Sequence, residues 1–311
     1  MSSCRRLETA AAVMRITISG ASGFIGRRLL KVLGGAGHEL HVLSRHAGTN
    51  LPTGVKLSVW DPMQGPPPRE SLEAADAVVH LAGEPVAQRW TAEVKRRIRE
   101  SRVAGTRRLV EALAALPRRP AALVSASAVG YYGSRGDEVL EESALPGNGF
   151  LPEVSAAWER EAQAAEALGM RVAVIRIGLA LDPRGGALGR MLLPFRWGAG
   201  GRLGSGRQWM SWIHLADLAE MFRFALENPV RGALNGAAPQ PVRNRDFTRA
   251  LAAAVHRPAV FPVPGLALRA LFGEMAGVLL ESQRVAPRAA EAAGFRFLFT
   301  ELGPALTDLI K

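Results

Sequence analysis

The chain has 311 residues, a formal net charge of +11, 48% hydrophobic and 22% charged side chains, and one cysteine, Cys4. This is globular composition, with enough apolar residues for one large or two coupled domains. It excludes an intrachain disulfide and a cysteine-based metal site, no metal is expected, and no apolar run reaches the ~18 residues that a bilayer span requires. The basic excess is arginine spread along the chain, without the clustering and aromatic interleaving of a nucleic-acid binder. It reads as surface usage, with a few arginines serving a phosphorylated small molecule and neither nucleic acid nor membrane as partner.

Residues 1–13 carry Arg5 and Arg6 but lack the apolar core of a signal peptide. They are expected to form a disordered tail before Met14, itself a natural start, and the cytoplasm is the expected compartment. Residues 14–26, MRITISGASGFIG, then read as a short apolar strand, a glycine-spaced turn and the start of a helix whose Ile25, Leu29, Val32 and Leu33 share one face. Such a turn gathers free backbone N–H groups and the positive end of a helix at one point, where a pyrophosphate can sit. Gly20 allows the tight turn, Gly23 the approach of phosphate, and Gly26 the close packing of helix on strand.

Residues 39–44 predict a second strand ending in Ser44 and Arg45. A site selecting NAD places an acidic residue near this strand end to bond the ribose 2′-hydroxyl, and none is present, since Glu39 lies at the opposite end. Arg45 is suited instead to a 2′-phosphate, through charge-assisted hydrogen bonds, which points to NADP. Residues 55–60 predict a third strand followed by Asp61 and a proline-rich loop. Residues 75–81 predict a buried strand ending in Ala82 and Gly83, small enough for a cofactor to lie across them. His80, inside that apolar run, reads as a satisfied core histidine.

Residues 91–116 predict a long helix with Lys95, Arg99 and Arg102 on one face. Most of that face reads as solvated, with Arg102 placed to approach the cofactor. The strand at 121–126 runs into Ser127 and the sequence AVGYYG, bringing one hydroxyl and the phenols of Tyr131 and Tyr132 to a strand end, where open α/β sheets bind ligands. A helix at 151–168 and a buried strand at 171–177 follow. Residues 182–206 are glycine-rich with a short apolar stretch at 191–197. Beyond them are predicted helices at 215–226, at 244–256 with Asn244 as cap, and at 301–310, and a short strand at 234–238.

The alternation from residue 14 to residue 178 predicts an α/β fold with a doubly wound parallel sheet. GASGFIG, HLAG, the SAS and YYG segments and WIHLADLA resemble the extended short-chain dehydrogenase/reductase superfamily. VLSR, HLAGEP, SASAVGYYG, RIGLAL, MLLPFRWGAGGRLGSGRQWMSWIH, LFGEMA and AGFRF narrow the resemblance to its atypical epimerase-like family, over nearly all of 14–310. That resemblance implies an NADP-binding Rossmann domain at 14–180, with 215–258 returning to it. It also implies a smaller C-terminal α+β substrate-type domain from 181–214 and 259–311. It places the turn, with Gly20, Ser22, Gly23, Phe24, Ile25 and Gly26, on the pyrophosphate. Ser44 and Arg45 fall on the adenosine phosphate, and Leu81 and Ala82, with Gly83 behind them, along the cofactor. Arg102 and Leu179 are further contacts by the same carry-over.

The catalytic pattern of the superfamily is not matched. Its usual Tyr is followed four residues later by a Lys, which helps the phenol shuttle a proton during hydride transfer. The lysines here are Lys31, Lys56, Lys95 and Lys311, none follows either tyrosine, and the corresponding helix positions hold Leu151 and Ser155. One expectation is therefore an NADP-dependent oxidoreductase or epimerase with a rearranged set: Ser127 orients a substrate oxygen, Tyr131 donates the proton, and Arg207 binds an anionic small-molecule substrate. The alternative is a cofactor-binding sensor or scaffold without turnover, in which one phenol packs under the loop, the other faces solvent, and Arg207 forms an interdomain salt bridge. His214 reads as a helix-start or packing residue in both. The substrate and the oligomeric state are not readable.

Overall fold

The computed structural model describes residues 12–311, so most of the predicted N-terminal tail lies outside the described residues. Seven parallel strands form the central sheet. They are β1 (Arg15–Ser19), β2 (Glu39–Ser44), β3 (Lys56–Val59), β4 (Ala77–His80), β5 (Ala122–Ala128), β6 (Arg171–Ile177) and β7 (Gly232–Gly236). Their order across the sheet is β7-β6-β5-β4-β1-β2-β3. The chain winds one way from β1 to β3 and the other way from β4 onward, so the order reverses between β1 and β4. That reversal opens a crevice at the strands' carboxyl ends, the ligand-binding position of doubly wound sheets.

The central strands carry buried apolar residues on both faces because helices cover both. On one side α1 (Phe24–Gly35) and α5 (Leu215–Glu227) press Leu29, Leu33, Leu218 and Phe222 onto Ile16, Ile18 and Val42. On the other, α2 (Ala92–Ala114), whose Thr91 cap accepts from the Val94 amide, sets Leu109 and Leu113 against Val78, Leu123 and Val174. Next to α2 lies α3 (Phe150–Gln163), which continues as a 3-10 turn, Ala164–Leu168.

A third core joins α4 (Gly186–Arg196), α6 (Asn244–Ala254) and the last helix, Leu302–Leu309, through Leu188, Phe195, Phe247, Leu251 and Leu306. The expected return of residues 215–258 to the sheet is thus divided. Residues 215–236 supply α5 and β7, while α6 packs in the smaller core. The α4 helix was not anticipated, because its segment is glycine-rich and carries Pro194 inside the helix. Asn244 does not cap α6: the cap position is Arg243, and the Asn244 Oδ1 instead accepts from the Leu203 amide at 2.8 Å, tying the helix to the glycine-rich loop. Among the described residues, no helix is long and apolar enough to cross a membrane.

Candidate functional site

The crevice is lined by the glycine turn. Gly20 has φ +73°, and a Cβ there would stand 2.7 Å from the Leu81 carbonyl carbon, so the turn lies directly against the end of β4. A Cβ on Gly26 would run into the Ala21 Cα, which is why α1 can start so close to its strand. The Gly23 amide bonds the Gly20 carbonyl at 3.1 Å, and α1 has no side-chain cap on its first-turn N–H groups. Ser22 is half-buried, Phe24 packs against Gly185 and Gly186, and Ile25 packs on the sheet core. Gly20→Ala is expected to cost about 1–3 kcal/mol for the left-handed backbone and to push the turn off β4. Urea unfolding together with NADPH titration checks this; a variant with wild-type stability and affinity would contradict the geometry.

At the end of β2, Ser44 is buried and its hydroxyl bonds the Thr49 hydroxyl at 2.8 Å, shaping the loop that presents Arg45. The Arg45 side chain is 57% exposed, and among the described residues its one ion-pair partner is the Glu84 carboxylate at 4.0 Å. It lines a cavity of about 760 Å³ with Val59, Trp60, Asp61 and the proline loop at 66–68. Under the β4 end, Arg102 donates to the Glu84 carbonyl at 2.9 Å and lies 5.2 Å from the Trp158 ring. Burial pulls its pKa down to about 10, with Glu84 opposing. Arg102 therefore braces the segment carrying Leu81, Ala82 and Gly83 from below. Gly83 admits it, since a Cβ would meet its guanidinium at 3.1 Å. Leu179 is half-buried after β6, its amide bonded to the Ser211 carbonyl at 2.7 Å.

His80 is fully buried between the Ser19 hydroxyl at 2.6 Å and the Thr106 hydroxyl at 3.0 Å, a core histidine with both nitrogens bonded. Burial, with Arg102 adding repulsion, lowers its pKa to about 4 from the ordinary 6.5. The native state thus refuses a proton that the unfolded chain accepts, and stability falls as pH drops from about 6.5 toward 4. At ~1.4 kcal/mol per pH unit the loss approaches about 3 kcal/mol. Urea unfolding at neutral and acid pH should show a larger loss for wild type than for His80→Asn; equal losses would contradict this.

At the end of β5 the sequence reading missed the central feature. Glu159 of α3 and Arg176 of β6, each about 4% exposed, form a two-pronged ion pair with contacts of 2.9 and 2.8 Å. Ser127 is buried and donates to Glu159 at 2.6 Å. Arg176 also donates to the Glu142 carbonyl and to the Tyr132 oxygen, both at 2.9 Å. The Tyr132 hydroxyl donates in turn to the Asn235 Oδ1 at 2.7 Å. Burial raises the Tyr132 pKa to about 12, against the pull of Arg176 and Asn235, so this phenol stays neutral and fully engaged. Burial works against the Arg176 charge too, but Glu159 outweighs it and holds its pKa above the ordinary value.

Tyr131 differs from its neighbour. It is half-buried, its ring lies under the Arg176 guanidinium at 3.6 Å, and its hydroxyl bonds no described residue. A Cβ on Gly130 would lie 3.5 Å from the Leu151 side chain, so the turn after β5 packs against one of the two helix positions that lack the usual Tyr and Lys. Ser155 at the other position is buried. The signal that could have exposed the network was a single arginine inside the apolar strand RVAVIRI, paired with a glutamate on the buried face of a helix.

Arg207 is exposed, and among the described residues its side chain forms no ion pair, so the interdomain salt bridge is not what holds it. Its carbonyl accepts from Arg243, whose guanidinium also bonds Asp137. His214 caps α5 by accepting from the Ala216 amide at 3.1 Å and stacks on Phe299 at 4.0 Å. Among the described residues, no cluster of three or more His, Cys, Asp or Glu side chains could hold a metal ion.

The NAD dependent epimerase/dehydratase family matches residues 16–237. The chain belongs to that family. A domain of unknown function (DUF1731) matches residues 263–309. Epimerase family protein YfhF of Bacillus subtilis is 38% identical, covering 96% of this chain and 98% of that protein. The chloroplastic SDR39U1 homolog of Arabidopsis thaliana is 40% identical, covering 96% and 87%. The crystal structure of human epimerase family protein SDR39U1 (isoform 2) with NADPH superposes with a TM-score of 0.85 at 35% identity, covering 96% of this chain and 99% of that one. The doubly wound sheet and the atypical short-chain dehydrogenase/reductase resemblance agree with these relatives.

Proposed function

We propose that this epimerase-family chain binds NADP(H) in the crevice and acts on a small molecule as an oxidoreductase or epimerase, in the cytoplasm. The observation that carries the reading is Arg45, more than half exposed just past the end of β2, in a sheet whose glycine turn packs against Leu81. The residues fit the cofactor. The turn offers uncapped amides to a pyrophosphate, the 760 Å³ cavity beside Arg45 has room for an adenosine, and the Arg45 guanidinium, more than half exposed with Glu84 no nearer than 4.0 Å, is open to a 2′-phosphate. The NADPH-bound relative supports the same choice.

Bound NADP(H) supplies or accepts a hydride. This chain's own residues hold and move the proton. Tyr131 is the candidate donor, because its hydroxyl is unspent while that of Tyr132 bonds both Arg176 and Asn235. Arg176 stacks on the Tyr131 ring and fixes its direction. Ser127, bonded to Glu159, holds the turn and can present its oxygen to a substrate only as an acceptor. Arg207 is assigned to an anionic group of the substrate, and the smaller C-terminal domain to closing over it.

The reading is tested with nucleotide sugars and small carbonyl compounds as trial substrates under NADPH. Tyr131→Phe is expected to lower turnover at least about a hundredfold with NADPH affinity unchanged. Equal rates in both proteins would remove Tyr131 from the mechanism.

A further inference from the structure

A second cavity of about 280 Å³ lies away from the crevice, on the smaller core. It shares no lining residue with the cavity beside Arg45. Its walls are Arg245, Thr248, Arg249 and Ala252 of α6, faced by Arg202 and by Ala259, Val260 and Pro262. Three arginine side chains therefore line one hollow together with apolar residues. Their only carboxylate neighbour among the described residues is Asp246, 3.7 Å from Arg245 and 3.6 Å from Arg249, beyond hydrogen-bonding distance for both. Arg202 gives one bond, to the Ser205 carbonyl at 3.0 Å. Nearly all their N–H donors are thus unspent.

The arrangement is built. Gly206, at φ +69°, lacks the side chain that would separate the stems: a Cβ there would lie 3.1 Å from the Arg245 Cβ and 3.2 Å from the Arg202 Cδ. The Arg245 amide bonds the Gly206 carbonyl at 2.9 Å, fixing α6 to that loop. Thr248 is 5% exposed, and its hydroxyl has no partner among the described residues. Three like charges gathered around a concavity, with Asp246 as the one nearby counter-charge among the described residues, favour an anion among them.

We propose that this hollow binds a small phosphorylated metabolite, independently of the cofactor. The guanidiniums take the phosphate by forked, charge-assisted hydrogen bonds, and the apolar residues take a short carbon body. The volume lies just below the ~300 Å³ at which small-ligand pockets begin, so a phosphate with a few carbons fits and a dinucleotide does not.

Calorimetric titration of the full chain with glycerol 3-phosphate, run with and without saturating NADPH, tests this. The expected result is saturable one-to-one binding in both conditions, none with glycerol, and at least about tenfold weakening in Arg245→Ala/Arg249→Ala and in Arg202→Ala. Arg119→Ala, in the segment between α2 and β5, should bind as wild type. No binding by the wild-type chain, or equal affinity in the cavity variants and wild type, would overturn the proposal. So would a short oligonucleotide that binds the cavity arginines more tightly than the phosphate ester, since that would make the site a polyanion surface. Binding without NADPH separates this outcome from any failure of the cofactor reading.

Discussion

Arg45→Ala should weaken NADPH binding roughly 10–150-fold and leave NADH binding within about twofold. A hydrogen-bonded ion pair between guanidinium and phosphate contributes about 1.5–3 kcal/mol, which converts to that range. The selectivity of the effect is the informative part. Arg45 is more than half exposed, and among the described residues its one ion-pair partner is Glu84 at 4.0 Å, so its removal disturbs no buried packing. A general loss of fold would lower both affinities together. Loss confined to the cofactor carrying a 2′-phosphate places that phosphate at the end of β2. Equal weakening for both nucleotides would mean that Arg45 acts on the shared pyrophosphate or on loop structure. Fluorescence titration of the two nucleotides against wild type and variant distinguishes these results.

The second large effect concerns stability. Glu159→Ala should cost about 3–5 kcal/mol, because it leaves the Arg176 guanidinium buried beside two tyrosines without its counter-charge. For a chain of this size that lowers the melting temperature by roughly 5–10 °C. Glu159→Leu/Arg176→Met removes both charges, and it should recover part of the loss. Recovery is incomplete because Ser127, Tyr132 and the Glu142 carbonyl each lose a partner. Urea unfolding of the two variants beside wild type measures this. A single variant as stable as wild type, or a double variant worse than the single, would contradict the view that the pair is held together against its desolvation. The pair also aligns the Tyr131 ring, so Glu159→Ala should lower any Tyr131-dependent turnover more than it lowers NADPH affinity.

The sheet was legible in the sequence because each strand is short and holds apolar residues that helices bury, most plainly AVVH and RVAVIRI, and because turn residues separate them. The cofactor crevice was legible for a local reason: strand, turn and helix are contiguous, and each glycine answers a contact within ten residues or with the next strand of the sheet. The place of Arg45 just past the end of β2 could be read because the bounds of that strand could be. The Glu159–Arg176 network was not read, since it joins a helix and a strand 17 residues apart through side chains whose burial no local pattern reports. Its one trace was an arginine in an apolar strand. Asn244 was misread because an asparagine before an apolar run suits a cap, whereas here its amide bonds a distant loop. The α4 helix was obscured by glycines and Pro194 that its packing in the smaller core overrides.

The central claim, that the crevice is an NADP site, is tested most directly by titrating the wild-type chain with NADPH and with NADH under the same conditions. The account predicts that NADPH binds at micromolar affinity or better and at least about tenfold more tightly than NADH, a difference of ~1.4 kcal/mol or more from the 2′-phosphate. Equal affinity for the two, or binding of neither, would contradict it.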